Sequence, residues 1–105
     1  MIAQTPAPPY YAVIFSNLQT KTLTDYEQTA NHMEELAKEQ PGFLGIESVR
    51  NGLGITVSYW KDLESIKQWK QNIEHQTAQQ MGREKWYASF KIRICLVERD
   101  YGFQR

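Results

Sequence analysis

The stretch FLGIESVRNGLGITVSYWK, residues 43–61, decides the fold. Phe43 to Arg50 and Leu53 to Lys61 are two short runs rich in β-branched and aromatic residues, and they flank Asn51-Gly52. That pair tolerates the positive φ angles of a tight hairpin turn, so the runs are predicted to be antiparallel neighbours. Upstream, Gln40, Pro41 and Gly42 end a run in which Tyr26, Ala30, Met33 and Ala37 recur at helical intervals. Thr24 followed by Glu27 has the spacing of a capping box at its start. Further upstream, YYAVIFSNLQ at residues 10–19 reads as a strand, with Tyr11, Val13, Phe15 and Asn17 on one face and Ala12, Ile14 and Ser16 on the other.

Downstream of the hairpin, Asp62 suits the N-cap of a second helix whose face is marked by Leu63, Ile66, Trp69 or Lys70, and Ile73, and which ends before Gly82. From Trp86 to Val97 the chain alternates Trp86, Ala88, Phe90, Ile92, Ile94 and Leu96 against Tyr87, Ser89, Lys91, Arg93 and Cys95, a long strand with one strongly apolar face. The order β-α-β-β-α-β is that of an α+β, ferredoxin-like domain, an antiparallel sheet with two helices on one face. Apolar side chains nonetheless fall on both sides of the strands. Burying the surplus against a second copy through a two-fold axis is the simplest remedy, so a homodimer is expected.

The 105 residues fit one domain, with 41% apolar and 23% charged residues, ordinary globular usage. Residues 1–9, with three prolines and neither a basic run nor an apolar segment, read as a flexible arm ahead of a domain spanning 10–105. Twelve Lys and Arg balance twelve Asp and Glu, which leaves no net field to draw nucleic acid or an anionic membrane. No apolar stretch approaches the roughly 20 residues that span a bilayer. The lone Cys95 has no disulfide partner within the chain, and a reducing cytoplasm is the expected compartment. No metal-ligand spacing, Gly-rich phosphate loop or nucleophile elbow is present in the sequence.

QPGFLGIES at residues 40–48, ITVSYWKDLESIKQWK at 55–70 and EHQTAQQMGREKWY at 74–87 together resemble the antibiotic-biosynthesis-monooxygenase (ABM) family of dimeric α+β barrels. The resemblance rests on the PGF turn, on the Tyr59-Trp60 pair before an acidic helix start, and on the spacing from Trp69 to His75. It implies a pocket between sheet and helices in each subunit. Some relatives oxygenate polycyclic aromatic polyketides without metal or flavin, and others bind haem and cleave it.

On this resemblance Asn17 matches an asparagine that can hydrogen-bond a substrate carbonyl or a bound oxygen species, although an Asn at a strand end also suits a turn. Tyr59, Trp60 and Trp69 are candidates for an aromatic wall, and tryptophan at helical spacing equally suits plain core. His75 is the best acid-base candidate, with a surface or interface histidine as the competing reading, and His32 is expected to be exposed. Arg83 is a candidate for fixing an anionic or phenolate substrate, whereas Arg93 and Arg99 suit surface ion pairs and Cys95 suits a small buried hydrophobe. Haem-degrading relatives carry their axial histidine about ten residues after the helix-two tryptophan. Gln79 stands there in this chain, and glutamine is a poor iron ligand. The leading expectation is therefore oxygenation of an electron-rich aromatic, a quinol or polyphenol, without a cofactor. The alternatives are a non-catalytic or stress-related dimer that binds a small hydrophobic molecule, and a haem protein.

Overall fold

The computed structural model describes residues 1–74 and 85–105. Its elements run β1 Tyr10–Gln19, α1 Tyr26–Lys38, β2 Phe43–Asn51, β3 Leu53–Trp60, α2 Leu63–Glu74 and β4 Tyr87–Val97. The four strands form one antiparallel sheet in the order β2-β3-β1-β4. This is the expected α+β, ferredoxin-like arrangement. The strongly β-favouring YYAVIFSNLQ takes a central position, bonded to β3 on one side and β4 on the other, and β3 is the second interior strand, between β1 and β2.

Pairing fixes which side chains share a face. Tyr11, Val13, Phe15 and Asn17 of β1 lie opposite Trp60, Ser58, Thr56 and Gly54 of β3, and opposite Leu96, Ile94, Ile92 and Phe90 of β4. Both helices reach this face, since Trp69 of α2 stacks on Trp60 and the Tyr26 hydroxyl of α1 meets Arg50 of β2. Tyr10, Ala12 and Ile14 look the other way, together with Tyr59 and Val57.

The two helix starts differ from each other. Asp62 caps α2 as expected: its Oδ1 accepts the Ser65 N–H at 2.8 Å and the Ser65 hydroxyl at 2.7 Å, and these bonds lower its carboxyl pKa. At α1 the expected Thr24–Glu27 box is not formed. Asp25 is the cap residue instead, at φ 62 and without a side-chain cap bond, a left-handed conformation that a short polar side chain tolerates. The end assigned to α2 ahead of Gly82 falls outside the described residues.

Two bulges adjust the sheet. Leu44 is the extra residue where Phe43 pairs with Trp60 and Gly45 with Tyr59, which keeps the Phe43 ring edge-on to Trp60 at 5.5 Å. Ala88 is the extra residue where Leu18 pairs with Ser89 and Gln19 with Tyr87. Strict alternation placed Tyr87 on the face away from Phe90. The bulge rotates it onto the same face, 6.1 Å from Phe90 and 5.4 Å from Phe15 between ring centroids.

Residues 1–9, expected to be a flexible arm, are docked at two points on the face away from the helices. The Ala3 N–H donates to Glu47 Oε2 at 2.9 Å, and the Thr5 hydroxyl donates to the Tyr10 oxygen at 3.0 Å. Side-chain acceptors thus hold a segment that composition alone marks as unstructured.

Four apolar side chains of the outer strand β4, Phe90, Ile92, Ile94 and Leu96, stay exposed. Register puts them on the helix side, not on the opposite face where the sequence reading placed the surplus; among the described residues, the helices pack towards β2 and β3.

Gly42 and Gly52 both hold positive φ, 82° and 78°. A Cβ at Gly42 would also lie 2.6 Å from Ser65 Cβ, whereas one at Gly52 would meet nothing within 4 Å. Gly42→Ala should therefore lower the unfolding free energy by the larger amount, about 2–3 kcal/mol against about 1 kcal/mol for Gly52→Ala. Equal losses in equilibrium denaturation would show that Ser65 moves aside freely.

Candidate functional site

The helix face carries two separate clusters, one at each end of β1. At the first end Trp60 is fully buried, stacked on Trp69 with ring centroids 6.0 Å apart and planes 25° apart, and its Nε1 donates to Ser58 Oγ at 2.9 Å. With Phe43 edge-on and its only N–H satisfied inside the chain, Trp60 is packed core.

At the second end Asn17 is 3% exposed, and its Oδ1 accepts a hydrogen bond from Arg50 Nη2. Arginine only donates, so the amide oxygen must face it and the NH2 group points the other way. Arg50 Nη2 also reaches the Tyr26 hydroxyl at 3.4 Å. Gly54, the buried residue paired with both Asn17 and Arg50, makes this possible: a Cβ there would occupy the place of the guanidinium.

Aromatic rings surround the pair. Tyr26 stands edge-on to Trp86 at 5.4 Å and to Tyr87 at 6.1 Å, and Phe15 is edge-on to Tyr87 and Phe90. Trp86 is held by its Nε1 donating to the Thr24 carbonyl at 2.9 Å. Burial, followed by the hydrogen bond with Tyr26, pushes the Tyr87 phenol well above its ordinary range, with the Arg50 charge opposing. Both effects keep Tyr87 neutral.

The positions expected to converge do so only in part. Asn17 pairs with Gly54 and Tyr11 with Trp60, so Asn17 and Trp60 are six residues apart along β1, about 20 Å at a strand's rise of about 3.3 Å per residue. Trp60 and Trp69 are therefore not the wall beside Asn17; Phe15, Tyr26, Trp86 and Tyr87 are. Tyr59 projects to the opposite face, where its hydroxyl donates to Glu47 and its pKa is pushed to about 12 by burial and then by that bond. It cannot share a wall with Trp60, because adjacent strand residues point to opposite sides. His32 is exposed as expected, and Cys95 is half-buried beside Ala12. His75, Gln79 and Arg83 lie outside the described residues.

Arg50 escaped the sequence reading altogether. The available signal was its place two residues before the hairpin Gly, which sets it opposite Gly54 and so opposite a strand position with no side chain of its own.

Fold and site define a ferredoxin-like α+β domain that presents a buried amide, a guanidinium and a ring of aromatics at one end of its sheet. The chain belongs to the antibiotic biosynthesis monooxygenase family, whose profile matches residues 9–81. It is 50% identical over 105 residues to the uncharacterized protein YqjZ of Bacillus subtilis, covering 98% of this chain and 92% of that one. In three dimensions it is similar to a variant of SnoaB, a cofactor-independent oxygenase from Streptomyces nogalater, with a TM-score of 0.75 at 9% identity over 89% of this chain and 97% of that chain. PA3566 from Pseudomonas aeruginosa superposes with a TM-score of 0.69 at 16% identity over 91% and 99% of the two chains. At such identities these two likenesses speak to the fold alone.

If Trp60 is core and not a ligand wall, Trp60→Ala should cost about 3–5 kcal/mol of folding stability, while a conservative Trp69→Phe costs less. Ligand affinity at the Asn17 end, measured where the variant remains folded, should stay within about threefold of wild type. A Trp60→Ala protein of unchanged stability and lost ligand binding would reverse the two roles.

Proposed function

We propose that this family member is a cofactor-independent monooxygenase acting on an electron-rich aromatic, a quinol or polyphenol, at the Asn17 end of the helix face. The observation that carries the reading is the Asn17 amide, buried with its oxygen committed to Arg50, so that its N–H donors are the part left for a substrate oxygen. Family membership and the fold shared with SnoaB support it.

The substrate supplies all the electrons. Loss of a phenolic proton gives a phenolate, and this transfers one electron to O2. The resulting radical pair couples through a new C–O bond and takes up a proton to form a hydroperoxide. Its O–O bond then breaks as the ring C–H proton leaves, giving a ring carbonyl and one water. A quinol plus O2 thus becomes a hydroxyquinone plus water. The protein need only hold the ring, stabilise the developing anion and move protons. Asn17 and Arg50 suit the anion, and His75 is the proton acceptor this reading proposes.

Haem does not fit the described residues. Trp69 is occupied by its stack on Trp60, and the cavity lined by Tyr26, Arg50 and Gly54 is about 190 Å³, near the roughly 150 Å³ that takes a benzene ring. Added haemin should give no histidine-ligated Soret band and no ring cleavage with a reductant; a stoichiometric band abolished by His75→Ala would reverse this.

The same reading includes a homodimer, supported by the uncovered row Phe90, Ile92, Ile94 and Leu96 on β4. Sedimentation equilibrium should give a dimer at micromolar concentration and a monomer for Ile92→Lys/Ile94→Lys; a wild-type monomer would count against it.

Activity is tested by oxygen uptake with a panel of quinols and heavy-oxygen labelling, with one atom expected in the product and one in water. Asn17→Ala and His75→Ala should each lower the rate by about 10²-fold or more, the scale of losing one oxyanion or acid-base group. No uptake above background with any quinol would instead favour a binding module that holds a small hydrophobic molecule.

A further inference from the structure

We propose that Arg50 makes the Asn17 site selective for single-ring aromatics that carry an anionic group, a ring carboxylate above all; this rests on the oxygenase reading only for what happens after binding. Four observations converge on it. Arg50 is exposed at the mouth of a cavity of about 190 Å³, and among the described residues that line it Arg50 is the charged one. Among the described residues no carboxylate pairs with its guanidinium; the ion pairs found there, Lys38 with Glu34 and Glu35, lie on α1.

Its position is also fixed in advance. Nη2 is tied to Asn17 and Tyr26, which leaves the Nη1 and Nε donors for single charge-assisted hydrogen bonds to a carboxylate. Gly54 opens the space in which the guanidinium lies across β3, so a side chain at that position would evict it. A mobile surface arginine needs neither device.

The remaining surfaces complete a small amphipathic site. Ser48 and Thr56, paired with each other across β2 and β3 on the face of Asn17, line the same cavity and bring hydroxyl donors. Tyr26 belongs both to the cavity and to the aromatic cluster with Trp86 and Tyr87, so a ring held by the aromatics would have its acidic substituent at Arg50. The volume suits one ring in place of a fused polycycle.

The test compares gentisate, a hydroquinone carboxylate, with gentisyl alcohol, its neutral counterpart, by anaerobic isothermal titration calorimetry, so that binding is read apart from turnover. Wild-type protein should bind gentisate about 10-fold or more tightly than the alcohol, the scale of one charge-assisted hydrogen bond. Arg50→Gln should bring the ratio to about one by weakening gentisate alone, and Arg50→Lys should restore only part of it. Gly54→Ala keeps the charge but displaces the guanidinium, and it should also lower the ratio; it serves as the second variant if Arg50→Gln does not fold. Equal wild-type affinities, no binding of either compound, or a ratio untouched by both Arg50→Gln and Gly54→Ala would overturn the proposal. Gentisate bound in an Arg50-dependent way without oxygen uptake in air leaves this subsite standing and removes the oxygenase. Turnover of neutral quinols with no preference for gentisate does the reverse.

Discussion

Two-sided pairing of β1 is the constraint on which the rest of the molecule depends. Because Tyr10–Gln19 is bonded to β3 along one edge and β4 along the other, each of its residues sets the facing of two neighbours at once. The pairing of Asn17 with Gly54 and with Phe90 puts an amide between a gap and a ring. A slip of one residue would turn Asn17 to the other face and dismantle the polar end of the site together with the apolar row. The register is over-determined: Trp60 is buried only if it shares a face with Tyr11 and Phe43, and Arg50 reaches Asn17 only if Gly54 stands between them.

How much of this was legible in the sequence varies with the range of the interaction. Element order, the hairpin at Asn51-Gly52 and the Asp62 cap follow from local chemistry and appear as expected. Misreadings occur where a distant partner or an extra residue intervenes. Tyr87 changes faces because of a bulge at Ala88 that no alternation pattern announces, and Ala3 is docked because Glu47, far along the chain, supplies an acceptor. For the site, Asn17 was visible as a residue type in a familiar place. Its companions were not, since choosing between Trp60 and Trp86 as its aromatic neighbour requires knowing where on β1 each strand is aligned.

The two faces of the sheet use the same chemistry to different ends. On the helix side, phenols and a guanidinium surround a buried amide, and the Arg50 guanidinium and the Tyr26 phenol line an open cavity beside it. On the opposite face, Glu47 accepts from the Tyr59 hydroxyl and the Ala3 N–H, and these bonds lower its pKa. A carboxylate whose acceptor capacity is used in this way favours its ionised form, so its contribution to stability is present above the ordinary carboxylate range and fades as pH falls through the depressed value. This polar cluster is structural in character: its members satisfy one another and present no cationic edge to a ligand.

The Tyr10 hydroxyl accepts from Thr5 and donates to Asp100, so one buried phenol is touched by residues that are 95 positions apart in the chain. Segments near the beginning and the end are thereby brought to the same spot on the sheet. Topologically the domain is close to a closed loop: a short covalent linker could join these two segments, and new termini could be opened at the exposed Asn51-Gly52 turn, without altering any strand's neighbours.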